Sequence, residues 1–242
     1  STQGVSSAAS DVYKRQIHIE IGCGKGNFIV GMAKMYPDVN FIAIEKVEDV
    51  IVMAMEKTVA AELTNVLFMD MDAEKIEDIF EFGEIRRIYL NFSDPWKKNK
   101  QAKRRLTHKR FLDRYKAVLK QGDYIWFKTD NKALFDFSLN SFAEENFKLE
   151  NISLDLHNSK FEGNVMTEYE QRFSEQGMPI YRLTLHLIHI NAVRRTAQAH
   201  LIALYTIRNE IQAFGKLEVH LQTHHRIAIL QIDRNRLLFV HL

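Results

Sequence analysis

Three clusters of residues in this chain have the types and spacing to do chemistry. The first is Glu20-Ile21-Gly22-Cys23-Gly24-Lys25-Gly26. Glycines let the backbone turn sharply and approach a ligand without side-chain obstruction. The spacing is G-x-G-x-G, not the G-x-G-x-x-G that seats a dinucleotide pyrophosphate on a helix N-terminus, and the acid at Glu20 suits a cationic ligand better than an anionic one. Glu45, nineteen positions after Gly26, ends an apolar run where a carboxylate accepts hydrogen bonds from ribose hydroxyls. Asp72 follows the next run, where one can accept from an adenine amino group. Plainer readings stand beside these. The glycines can form a tight turn only, Glu45 can be a surface acid, and Asp72 can N-cap a helix starting at Ala73. Cys23 reads as a small apolar filler, since no base is paired with it.

The second cluster is Asn91-Phe92-Ser93-Asp94-Pro95-Trp96. Pro95 stiffens the turn and Trp96 offers a flat face for a base, unless it is an ordinary buried Trp. Behind it, positions 97–110 hold eight Lys or Arg and no Asp or Glu. Such runs are usually solvated faces; this one, with Lys98, Lys100, Lys103, Arg104 and Arg105, abuts the second cluster and suits phosphate contacts. The third cluster comprises Lys128-Thr129-Asp130 and Thr167-Glu168-Tyr169-Glu170. A carboxylate there can accept from the ring imino and exocyclic amino groups of guanine. Otherwise the later segment is an exposed loop or the start of a helix running to Phe173.

These residues need strands and turns to bring them together. Ile17–Ile21, Asn40–Glu45, Val66–Met69, Ile85–Phe92 and Tyr124–Lys128 read as strands, with Leu149–Leu156 and Tyr181–Leu187 as the last two. Helical patterns fill the gaps at Phe28–Met35, Val47–Leu63, Ala73–Phe80, Phe111–Lys120 (closed by Gly122) and Lys132–Glu145. The alternation predicts an α/β domain with a mostly parallel sheet over 17–187. In open α/β sheets, ligands bind beyond the carboxyl ends of the strands, where all three clusters fall. Residues 1–16 read as a disordered lead-in resembling translated adapter sequence. Residues 188–242 carry six of the ten histidines and no clear turn chemistry, and no fold is assigned to them.

The chain has 242 residues and a net charge of only +2, so the basic run makes a local field. No apolar stretch approaches the roughly 18 residues of a membrane span. A single cysteine points to a reducing, cytoplasmic setting. His220, His224 and His225 lack partners at ligand spacing, so no metal is expected.

In order and spacing over Ile17 to about Leu185, these motifs resemble the bacterial tRNA (guanine-N7)-methyltransferase family. The D-P-W with its basic run and the T-E-Y-E are the specific parts. The resemblance implies a Rossmann-like class I methyltransferase fold, with seven strands and helices on both faces, and S-adenosylmethionine as cofactor. It implies cofactor contacts at Glu20, Glu45, Asp72 and Asp94, beside the turn glycines Gly22, Gly24 and Gly26 read above as cofactor-binding, and a catalytic role for Asp94. It places the tRNA substrate at Lys98, Asp130 and Thr167 to Glu170, beside the phosphate contacts read above at Lys100, Lys103, Arg104 and Arg105, with a guanine of the variable loop as target, and leaves a monomer or a homodimer open. The chain departs from the family in having Lys97 where Pro is usual after D-P-W and Lys100-Gln101 where Arg-His is common. It also lacks the basic segment ahead of the first strand, and 188–242 has no counterpart. Out-of-frame translation is the reading of that extension, a small RNA-binding domain its alternative. Rival functions are an exocyclic-amine methyltransferase, whose N/D-P-P-Y/F loop resembles Ser93-Asp94-Pro95-Trp96, and an inactive RNA-binding remnant of the fold; a nicotinamide dehydrogenase is disfavoured by the glycine spacing.

Overall fold

The structure is a computed structural model that describes residues 16–145 and 147–187, together with the backbone of 222–224, 227–233 and 236–241. The lead-in before Gln16 and the histidine side chains beyond residue 187 lie outside the described residues. The chain divides into two compact units, Ser1–Leu187 and Ile188–Leu242.

In the first unit, β1 (Ile17–Ile21), α1 (Asn27–Met35), β2 (Asn40–Glu45), α2 (Glu48–Ala60) and β3 (Val66–Asp70) form one half of a sheet. A 3₁₀ turn (Ala73–Lys75) and α3 (Ile76–Ile79) lead to β4 (Ile85–Asn91). A basic 3₁₀ helix (Asn99–Arg104), α4 (Lys109–Val118), β5 (Leu119–Thr129), α5 (Lys132–Glu144), β6 (Phe147–Ser153), α6 (Glu168–Ser174) and β7 (Tyr181–Leu187) complete it. The order is β3-β2-β1-β4-β5-β7-β6, with β7 antiparallel to both neighbours and the others parallel. Helix-covered central strands are buried on both faces and therefore read as largely apolar, interrupted here by His18 and Glu20 in β1 and by Arg86 and Arg87 in β4. Ile19, Phe41, Ile85, Ile88 and Leu90 are accordingly 0% exposed. The order reverses direction between β1 and β4, and a crevice opens beyond the strand ends at such a switch point.

Strand five begins earlier than the sequence pattern suggests. Gly122, expected to close the preceding helix, lies inside β5 at φ +88. There the pairing with β4 jumps from Ile85↔Leu119 to Arg87↔Tyr124. Asp123 holds the kink by accepting from Lys120 N at 2.7 Å and pairing with Arg86 at 2.6 Å. Among the described residues of the second unit, three antiparallel strands pair in the order β10 (Arg236–His241), β9 (Ile227–Asp233), β8 (Gln222–His224).

Candidate active site

The glycine turn joins β1 to α1, and its three glycines do different work. All have positive φ (+78, +54 and +86 at Gly22, Gly24 and Gly26), a region costly for side-chain-bearing residues. A Cβ on Gly22 or Gly24 would meet nothing within 4 Å, so both face open space. One on Gly26 would lie 2.6 Å from Ala54 Cβ. The third glycine, expected at the cofactor, lets α1 pack tightly against α2.

Gly22, Glu45, Asp72, Asn91, Phe92, Asp94, Trp96 and Arg104 line a cleft of about 350 Å³ at the switch point. Glu45 is fixed by Gly24 N (3.1 Å) and Lys46 N (2.9 Å), both donating to its carboxylate. Asp72 both lines the cleft and caps the 3₁₀ turn, accepting from Glu74 N at 2.9 Å, so its two readings coexist. Glu20 is 1% exposed; Asn91 donates to its Oε1 at 2.8 Å. Its Oε2 is buried without a hydrogen-bond partner among the described residues. Burial pushes the carboxyl up to about 8, against the lowering effect of the Asn91 bond and the Lys128 charge. An unmet carboxylate oxygen beside a glycine turn is suited to a ligand bearing an ammonium group.

The Asp94 loop leaves β4 through Phe92 (φ +51) and closes at Trp96 (φ +41). Two left-handed non-glycine residues cost of order 1–3 kcal/mol each and persist where surrounding structure enforces them. Arg105 does the enforcing: its guanidinium donates to the Pro95 carbonyl at 2.9 Å and the Trp96 carbonyl at 3.1 Å, and lies 4.3 Å over the Phe137 ring. The basic run suggests phosphate for Arg105; two of its five N–H donors are committed to the loop. Arg104 lies 4.3 Å over the Trp96 ring, at the cleft wall. Lys97, Lys98, Lys100 and Lys103 are exposed. The run's far end is neutralised, Lys109 by Asp113 and Glu145, Arg110 by Glu74.

Asp130 is half-buried directly after β5, whose end pairs Lys128 with Asn91 of β4. Thr167 caps α6 by accepting from Glu170 N at 2.9 Å, worth about 1 kcal/mol. Glu168 pairs with Lys57 of α2, which also donates to Asn27 at 2.6 Å. Glu170 is 0% exposed and bonded to Lys128 (2.5 Å) and Asn164 (2.6 Å), with His157 3.2 Å away. It therefore does not present the free acceptor for guanine that its motif suggests; Glu168 and Tyr169 reach the surface instead. Tyr169 lies 5.9 Å from Phe92, ring to ring. Asn91 and Lys128 stand in the clusters singled out from the sequence but are given no role of their own, and Asn164 and Lys57 are not singled out at all. The signal for the first two is that each is the polar residue ending an apolar run, Ile-Tyr-Leu-Asn and Ile-Trp-Phe-Lys.

The strand order, with a cleft at its switch point, is that of the Rossmann-like class I methyltransferase fold. An antibiotic-related methyltransferase superposes with a TM-score of 0.53 at 16% identity over 78% of this chain and 96% of its own. A SAM-dependent methyltransferase from Aquifex aeolicus gives 0.51 at 12% over 76% and 90%. Residues 14–183 match the family model described as "Putative methyltransferase". The chain is 55% identical over 166 residues to the tRNA (guanine-N(7)-)-methyltransferase of Bacillus subtilis, covering 69% of this chain and 78% of that one. To its namesake from Listeria monocytogenes serotype 4b it is 53% identical over 167 residues, with the same coverage. The chain belongs to the tRNA (guanine-N(7)-)-methyltransferase family.

Proposed function

We propose that residues 17–187 transfer a methyl group from S-adenosylmethionine to N7 of a guanine in the tRNA variable loop, in the cytoplasm. The observation that carries this reading is one cleft edged by Glu45, Asp72 and Asp94 and walled by Trp96 and Arg104, with exposed lysines immediately beyond. The cofactor supplies an electrophilic methyl group on a sulfonium. Glu20, Gly22, Gly24, Glu45 and Asp72 are the residues that would hold it: the unmet Glu20 oxygen fits its ammonium and the open glycines leave room for its backbone.

Guanine N7 has a lone pair and no proton, so the chain need not supply a general base. It must align the base and stabilise the positive charge that grows on it. Alignment alone can be worth up to about 7–11 kcal/mol. Asp94 is exposed on the cleft with no hydrogen bond or ion pair among the described residues, leaving its carboxylate available to that charge. Lys97, Lys98, Lys100 and Lys103 anchor the RNA backbone while the target base is drawn from its stack. Asp130, Glu168 and Tyr169 edge the substrate side. The test is purified protein with bulk tRNA and labelled methyl donor, followed by nucleoside analysis. 7-Methylguanosine is expected; methyl on an exocyclic amine, or no methylation, overturns the reading.

A further inference from the structure

Methyl transfer to N7 gives Lys128 no part, although it is an expensive residue to keep. It is the penultimate residue of β5 at 4% exposure, and burial pulls its ammonium pKa down despite the pull of Glu170 in the other direction. The ammonium donates to Asn164 Oδ1 (3.1 Å), the Val165 carbonyl (2.9 Å) and Glu170 Oε2 (2.5 Å). Asn164 Nδ2 donates to the other Glu170 oxygen at 2.6 Å, closing a ring of three side chains. The backbone of the same lysine faces the other way functionally: its carbonyl accepts from Phe92 N at 2.9 Å, where the Asp94 loop leaves β4.

A buried ion pair is weak evidence for stability, because well-packed apolar residues often serve as well or better. What a ring of directional bonds supplies is placement. The segment it holds has little order of its own: α6 has seven residues, too few to stand alone as a helix. Besides the His157 contact with Glu170 and the ring contact of Tyr169 with Phe92, the segment is tied by Lys57 to Glu168, a pair about one-third exposed on both sides (38% and 32%) that holds weakly. Val165 also presses on α1, where a Cβ on Gly31 would lie 2.5 Å from it, so the segment has one seat and little freedom within it.

We propose that Lys128 is a positioning residue for methyl transfer, setting the Asp94 loop through its carbonyl and the Asn164–Glu170 segment through its ammonium so that both sides of the reaction keep one register. This rests on the function proposed above. It also gives Glu170 a role different from base recognition: it is the counter-ion that keeps the lysine in place.

The test compares wild type with Lys128→Met/Glu170→Leu, which removes both charges together, and with Asn164→Ala, which opens the ring but leaves the ion pair intact. Melting, S-adenosylmethionine affinity by calorimetry, kcat and KM on tRNA, and hydrogen exchange of amides 164–174 are measured. Both variants are expected to melt with the wild type and bind the cofactor normally, while exchange in 164–174 accelerates. The double variant should lose about 10²-fold in kcat, the scale of a roughly 1 Å misplacement of reacting groups, and Asn164→Ala less. Lys132→Met, which breaks the exposed pair with Asp136, serves as the control and should change nothing. Wild-type kcat in the double variant, or unchanged exchange in 164–174, overturns the proposal. So does a fall in cofactor affinity that matches the fall in turnover. A wild-type chain that fails to methylate tRNA strikes the parent reading instead, and the exchange measurement still decides this one.

Discussion

Placing an alanine at Gly22 and, separately, at Gly26 separates ligand clearance from packing within a single turn. At Gly26 the new methyl carbon would sit 2.6 Å from Ala54 Cβ and 2.9 Å from its Cα, against a comfortable carbon separation of roughly 3.5–4.0 Å. Those atoms belong to the α2 backbone and a side chain with no rotamer, so neither can swing aside. Left-handed strain of about 1–2 kcal/mol plus overpacking of about 1–3 gives roughly 2–5 kcal/mol in all. At about 2–4 °C per kcal/mol for a domain of this size, melting should fall by about 4–20 °C. At Gly22 nothing lies within 4 Å, so only the strain applies and the loss is about 2–8 °C. The methyl group would occupy space reserved for the cofactor, however, and should weaken binding about tenfold or more, equal to about 1.4 kcal/mol. Thermal melting and calorimetric titration with S-adenosylmethionine are the assays. If both variants melt alike, or if Gly22→Ala binds as wild type does, the division of labour within the turn is wrong.

Asp94→Ala should lower kcat by about 10²-fold with little change in cofactor Kd, measured by steady-state methylation and calorimetry. Near-normal turnover would remove Asp94 from the chemistry. Replacing Lys97, Lys98, Lys100 and Lys103 by Ala should weaken tRNA binding and reduce the slope of log K against log salt by about 0.9 or less for each phosphate no longer neutralised. Arg105→Ala should instead lower kcat and leave that slope intact, because its donors hold the Pro95 and Trp96 carbonyls. The raised carboxyl of Glu20, about 8 against an ordinary 4.5, sets a pH dependence. Between those values the folded chain holds a proton that the unfolded chain has lost, so stability without cofactor falls as pH rises and levels off above about 8. Glu20→Gln should flatten that part of the denaturation-versus-pH curve. A cofactor bearing an ammonium favours the ionised form, so its binding should release a proton, detectable by calorimetry in buffers of different ionisation enthalpy.

The alternation of strands and helices was readable because the sheet centre is covered on both faces. Runs such as Phe41-Ile42-Ala43-Ile44 are apolar at every position and end in one polar residue at the rim, Glu45. The segment from Thr167 reads as an exposed loop or the start of a helix running to Phe173; it is a helix, Glu168–Ser174, and Thr167 is its cap. Gly122 misled because a glycine after a helical pattern reads as a stop, whereas here the positive φ serves a bulge whose register is set by β4. The site residues divide on the same physical line. Asp72 and Glu45 line the cleft through position alone, since strand ends in this topology converge there. Arg105, Glu170 and Gly26 depend on what meets them from afar: two carbonyls of the preceding turn, a lysine forty-two positions back and an alanine of the next helix. Spacing along the chain carries no record of such partners. A cation in a basic run therefore looks like its neighbours until its donors are counted.

The grip of Arg105 on the Asp94 loop has a bearing on fidelity. The guanidinium belongs to the same short stretch as the exposed lysines, so a load on those lysines reaches the backbone beside Asp94 across a single side chain. A mismatched RNA seated a few ångströms out of place would then shift the chemistry along with the grip. Discrimination among substrates would show in turnover as much as in binding, like a key that enters the lock but does not throw the bolt.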